Sequence, residues 1–224
     1  MRYRESLLQA GFSEAERTPG HFFLPVGELT AFVVNLDDEA DGVSVLYGFA
    51  SAAAMAGDED WFSKHGWDNE SCTVRDILFL YDEESETRAL ETISLFFAQY
   101  KDYSKEEILT VKKERQKAFL NRFAPALKSL GFKRKRARWT KDLGNGTALS
   151  FEAQKSAFSD QYYFNVIVHD ALDLYAYRSY ERVVMVNSDI YNWQLMTEKQ
   201  TEDLISCALT SYILPKLPKE AVKG

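Results

Sequence analysis

A structural plan carried out twice constrains this chain more than any single motif. Leu7-x-x-x-Gly11-Phe12 and Leu127-x-x-x-Gly131-Phe132 both have the form of a helix end, with glycine where the chain must turn left-handed. After the first come four runs of apolar, β-branched and aromatic residues, His21 to Val26, Leu29 to Leu36, Val43 to Phe49 and Thr73 to Tyr81. After the second come Arg136 to Thr140, Thr147 to Lys155, Tyr162 to His169 and Tyr180 to Val186. Such runs, bounded by Gly, Asn and Asp, read as strands. Each set ends in an amphipathic helix: Glu83 to Tyr100 through Leu90, Ile93, Phe97 and Tyr100, and Thr197 to Leu214 through Ile205, Ala208, Leu209 and Tyr212. A second correspondence, Gly27-x-x-Thr30-Ala31-Phe32-x-Val34 against Gly144-x-x-Thr147-Ala148-Leu149-x-Phe151, extends the match into the strands. The order of elements predicts an α+β protein of two pseudo-repeated lobes, residues 1–102 and 103–224, each a largely antiparallel four-stranded sheet with helices packed on one face.

Local signals place the boundaries. Leu7 and Leu8 are expected to face inward from the first helix. Gly27-Glu28 between two apolar runs signals a hairpin. Ser104 followed by Glu107 is a capping box opening a long helix with the inward stripe Ile108, Val111, Phe119, Phe123, Leu127 and Leu130. Pro125 should kink or split that helix near Ala124. Asp37 to Gly42 imitates the start of a calcium loop, but Gly48 stands where a bidentate Glu is needed, so a solvated acidic turn is expected. Ala50 to Glu70, with Trp61, Phe62 and Trp67, reads as an irregular insertion able to cap a core or form a contact surface.

Composition excludes several classes. At 224 residues and 46% hydrophobic the chain can bury substantial cores, and no apolar run reaches the roughly 20 residues needed to span a bilayer. Met1 to Ala10 is too polar for a secretory signal, so a soluble cytoplasmic protein with reduced, buried Cys72 and Cys207 is expected. His21, His65 and His169 lack a second ligand at metal spacing, and neither a nucleophile elbow nor a phosphate or dinucleotide loop occurs. No catalytic residue, cofactor or metal is therefore assigned. Asp142 with Glu152, or Asp160 with Asp170, pair only on paper.

Charge is distributed unevenly. Residues 1–102 hold 7 Lys+Arg against 20 Asp+Glu, and residues 103–224 hold 20 against 14. Residues 105–141 alone carry 13 Lys+Arg and 3 acids, ending in Lys133-Arg134-Lys135-Arg136-x-Arg138-Trp139. This could be a nucleic-acid surface. An edge strand guarded by charge, with Trp139 turned to the core, is the favoured reading, since the whole chain carries −7.

Leu127-Lys128-Ser129-Leu130-Gly131-Phe132-Lys133-Arg134-Lys135, Gln154-Lys155-Ser156 and Asp160-Gln161-Tyr162-Tyr163-Phe164-Asn165-Val166 together resemble the bacterial domain-of-unknown-function 4304 family over roughly half of the chain. The resemblance implies no established activity; members are suspected of interaction or toxin-immunity roles. The candidate ligand or partner site is Gln154, Lys155, Ser156, Asp160, Tyr162 and Asn165, on two strands joined by a short loop. Lys155 there would neutralise Asp160 or an anionic group. Asn165, in an apolar strand, must be a structural clamp or a ligand contact. The expected function is non-enzymatic binding of a partner, of the inhibitor or immunity kind, with a basic protein as the partner favoured by the acidic first half. The alternatives are an enzyme acting on a small anionic ligand, or nucleic-acid binding through residues 105–141.

Overall fold

The computed structural model describes residues 2–38, 42–52, 72–80, 83–144, 146–156, 161–185 and 191–218. The insertion aromatics Trp61, Phe62 and Trp67, His65, the centre of the acidic turn and Asp160 lie outside these residues. The chain forms two compact units, the first running to residue 113 and the second beginning at residue 114. No described helix is long and apolar enough to cross a membrane, which leaves β-barrels untouched.

In the first unit α1 (Arg2–Gln9) precedes β1 (Ser13–Glu14), β2 (His21–Val26), β3 (Leu29–Asp38), β4 (Gly42–Ser51) and β5 (Cys72–Leu80), and α2 (Glu83–Tyr100) follows. The second begins within α3 (Lys105–Asn121) and continues through α4 (Ala124–Ser129), β6 (Lys133–Lys135), β7 (Arg138–Gly144), β8 (Thr147–Lys155), β9 (Tyr162–Asp170) and β10 (Tyr177–Arg182) to α5 (Glu198–Cys207). Each sheet is an antiparallel meander of five strands in sequential order. The architecture is α+β in two lobes. Each sheet gains one strand over the expected four, a short edge piece of two or three residues.

The helix ends form as their sequences dictate. Gly11 (φ 93°) and Gly131 (φ 82°) adopt the left-handed conformation. Their N–H groups donate to Leu8 and Lys128, and those of Phe12 and Phe132 to Leu7 and Leu127, the paired bonds that close a helix on glycine. Ser104 and Glu107 exchange their capping bonds at 2.8 and 3.4 Å, and Thr197 with Gln200 does the same for α5. Pro125 enters the first turn of α4 after a break at Arg122 and Phe123, where its missing N–H costs nothing.

Other expectations are corrected. Leu7 is buried but Leu8 is 41% exposed. The strand expected over Arg136 to Thr140 is interrupted, because Arg136 and Ala137 form the β6–β7 turn, with Arg136 at φ 57°. The strand expected from Tyr180 begins at Tyr177 and ends at Arg182; beyond it the Val184 N–H donates to the Tyr212 hydroxyl instead of a strand. Cys207 is half-buried, its Sγ 3.7 Å from the Val184 carbonyl.

The repeat in the strands also fails in one respect. Phe49 and Tyr47 lie under Phe96 of α2, and Ala31 stands opposite Phe49, so Ala31 faces the helices and Phe32 faces away. In the second sheet Phe151 meets Phe123, so Leu149 and Phe151 face the helices and Ala148 faces away. Aligning Ala31-Phe32 with Ala148-Leu149 therefore superimposes residues of opposite orientation. A one-residue slip reverses every side chain, and the register irregularity between Asp142 and Gly144 is where the second hairpin departs from the first.

β1 is anchored by charge. Arg4 Nη2 lies 2.6 Å from Glu14 Oε2, and the Gly20 N–H donates to Glu14 Oε1 at 2.9 Å. The bond from Arg4, then that from Gly20, hold the Glu14 carboxyl below its ordinary range. A carboxylate whose folded-state pKa is depressed stabilises the fold above its unfolded-state value, and that contribution is lost as pH falls through the folded value. Glu14→Gln should therefore melt below wild type near pH ~7, with the two melting temperatures converging in acid below about pH 4. Circular-dichroism melts across that range check this; a gap that persists in acid would show that the ion pair is not its source.

Candidate functional site

Strand parity arranges the polar groups of the second sheet. Arg138 stands opposite Glu152, Glu152 opposite Asn165, and Asn165 opposite Arg182. Directly opposed residues share a face, so these four form a row across β7 to β10. Trp139, Phe151 and Phe164 occupy the other face, beneath the ring of Phe123. Arg138 Nη2 donates to Glu152 Oε1 at 2.9 Å, and the Arg182 guanidinium lies 4.2 Å above the Tyr163 ring. Asn165 is 0% exposed; its Nδ2 donates to Gln154 Oε1 at 2.9 Å, while its Oδ1 has no hydrogen-bond partner. Such an orphan acceptor is the signature of a group that waits for a donor or lowers the stability of its site.

Beside this row runs a chain of hydrogen bonds. The Asp170 carbonyl can only accept, so His169 Nδ1 donates to it, at 2.7 Å. A ring with its proton on Nδ1 accepts at Nε2, here from the Ser150 hydroxyl at 2.8 Å, and Ser150 Oγ in turn lies 2.9 Å from Thr140 Oγ1. A serine against a histidine resembles a nucleophile with its base. Ser150, however, is 0% exposed, and the third partner is a backbone carbonyl rather than a carboxylate, so the arrangement ties three strands together. The carboxylates paired on paper have local partners: Asp142 accepts from the Gly144 N–H, Glu152 from Arg138, and Asp170 from the Leu172 N–H.

The sequence-predicted site is divided by the same parity. Gln154 and Asn165 meet on the face with the polar row. Lys155 and Tyr162, opposite each other, point to the helix-covered side, where the Tyr162 hydroxyl accepts from Gln116 Nε2 at 2.7 Å. Ser156 follows the strand end, its N–H donating to the Gln161 carbonyl. Asp160 lies outside the described residues.

Residues 123–219 match the family described as Domain of unknown function (DUF4304). The match begins at Phe123 and takes in β6 to β10 and α5, and with them the polar row. No curated protein and no solved structure matches the chain.

The matched stretch also presents a surface that the sequence pattern reads only as a connection. Leu172 is 98% and Tyr175 84% exposed in the β9–β10 hairpin, with Leu174, Tyr177 and Tyr180 exposed beside them. Asp170 and Asp173 accept from the N–H groups two residues on, Leu172 and Tyr175, turns that hold the tip together locally. The available signal was the density of Leu and Tyr between turn-forming aspartates, too many apolar side chains for a solvated loop. At the opposite edge the basic strand is otherwise occupied: Arg134 donates to the Arg136 carbonyl and to Asn121 Oδ1 and stacks on buried Trp139 at 4.7 Å.

The two buried polar groups should respond differently to deletion. Ser150→Ala leaves His169 Nε2 without its donor and should cost about 1–3 kcal/mol. Asn165→Leu removes an orphan acceptor along with one hydrogen bond and should stay within about 1 kcal/mol of wild type. Urea unfolding measures both; a loss at Asn165 as large as that at Ser150 would establish Asn165 as a structural clamp.

Proposed function

We propose that this chain is a non-enzymatic, cytoplasmic bacterial binding protein, of the inhibitor or immunity kind, which engages a basic protein partner through the β9–β10 hairpin. The observation that carries the reading is the exposure of Leu172 and Tyr175 together at one hairpin tip. Soluble proteins rarely present clustered large apolar side chains without a contact to make, and Tyr is enriched where interfaces bind most strongly. Asp170, Asp173 and Glu181 against Arg178 and Arg182 leave the hairpin slightly acidic. The 20 acids of residues 1–102 add a long-range field that attracts a basic surface and speeds its encounter. Nucleic-acid binding through residues 105–141 draws less support, because Arg134 and Arg138 are held in contacts within the protein.

A photo-crosslinking residue placed at Tyr175 in the source cell should trap a protein with a basic surface. With that partner purified, Leu172→Ser combined with Tyr175→Ser should weaken binding by roughly thirty-fold, the equivalent of about 2 kcal/mol, while melting stays unchanged. Rising salt should weaken the wild-type complex. Failure to trap any protein at Tyr175, at low and at moderate salt alike, would remove the hairpin as a contact surface.

A further inference from the structure

The first unit holds a cleft of about 770 Å³ between α1 and α2, floored by β2, β3 and β4. Its size falls within the roughly 300–1,000 Å³ of small-molecule sites. Leu24, Val26, Ala31 and Phe49 form the floor, Leu7 and Ala10 one wall, and Leu90, Phe97 and Ala98 the other. The polar groups on it are few: Ser6, Glu91 and Ser94 on the helices and Lys101 just after α2.

Two observations set this cleft apart from loose packing. The core contact of α2 is made by Ala89, Ile93, Phe96 and Tyr100, all buried. Leu90 lines the cleft, Phe97 lines it while packing its ring against Phe49 at 5.1 Å and Phe12 at 5.5 Å, and Leu95, also on the lining, is 60% exposed. The helix thus presents apolar side chains, Leu90 and Leu95, to the cleft beyond those its core buries. In the second unit, by contrast, the aromatic cluster of Phe119, Phe123, Phe164, Tyr191 and Trp193 packs with α5 through Leu204 into one continuous core.

We propose that this cleft binds a medium-chain amphipathic monocarboxylate, with its acyl chain against the Leu24–Phe49 floor and its carboxylate at Lys101. The walls ask for a ligand body without hydrogen-bonding groups. Lys101 follows directly after α2, and Glu91 lies about 15 Å back along the helix. An anionic head is attracted at the Lys101 end and repelled at the Glu91 end, which gives the chain one orientation. The site belongs to the first unit and rests on different residues from the hairpin.

Isothermal titration of the full-length protein with decanoate and with decan-1-ol, both below their aggregation limits, tests this. Wild type should bind one decanoate saturably and at least ten-fold more tightly than decanol. Lys101→Met should bring decanoate down to the alcohol. Ala98→Trp, at an exposed lining position, should abolish both, and Ser94→Trp at the rim repeats the block if the first variant melts early. Absence of saturable decanoate binding, or binding that survives both tryptophan variants, would overturn the site. Equal decanoate affinity in Lys101→Met would overturn the carboxylate assignment and with it the proposed ligand class.

Discussion

The second unit depends on one ring. Phe123 stands at the break between α3 and α4, and from that joint its side chain reaches Trp139 on β7, Phe151 on β8 and Phe164 on β9, at centroid distances of 6.3, 5.4 and 4.8 Å. A continuous helix would carry this position past the sheet along a fixed stripe, whereas the break before Pro125 lets the chain turn with the ring at its corner. Deleting a buried ring of this kind costs about 3–5 kcal/mol, a large share of the stability of a domain this size. Arg122, paired with Glu198 at the start of α5, holds the same corner from outside. Because Phe123 fixes which faces of three strands point to the helices, it also fixes where Glu152, Asn165 and Ser150 stand on the reverse.

That reverse face explains what was legible in the sequence. Helix ends were plain: Gly11, Gly131, Ser104 with Glu107, and Pro125 each act through a few bonds within one turn, so a few residues encode them. The strands were legible as elements because Val, Ile, Phe and Tyr concentrate in them. Their orientation was less so. Ser150, Ile167, Asn165 and His169 are buried on one face while Leu149, Phe151, Phe164 and Val166 are buried on the other, and a strand buried on both faces loses the alternation that shows its inner side. The division of Gln154 from Lys155, and the reversed alignment of Ala31 with Ala148, follow from this. β1 and β6 were illegible for another reason: two or three residues have no periodicity, and only pairing with the next strand makes them strands.

α2 shows the same limit in a helix. Leu90, Ile93, Phe97 and Tyr100 fit one face by spacing, yet the sheet also takes Phe96, and Leu90 turns to the cleft while Phe97 is shared between the cleft and Phe49. Where apolar residues cover more than one stripe, spacing alone cannot say which arc meets the sheet. The packing decides it, through Phe96 against Tyr47 at 4.9 Å and Phe49 at 6.0 Å. A functional surface could not be read from such a helix until the core's share of it was known.

The two ends of the second sheet meet the same hazard in opposite ways. A bare edge strand invites pairing with another chain, and charge on it is the common protection. β6 follows that rule, with Lys133, Arg134 and Lys135 all exposed. At the other end, Tyr177 and Tyr180 sit 6.2 Å apart on β10, leading from the exposed tip at Leu172 and Tyr175. Arg178 and Arg182 accompany them, one facing Asp170 at 3.9 Å and the other stacked on Tyr163, so the charges there are partnered within the sheet while the rings are left outside. The two ends of the sheet thus differ in kind: the cationic strand β6 carries no aromatic side chain, whereas β10 interleaves Tyr177 and Tyr180 with Arg178, Glu181 and Arg182.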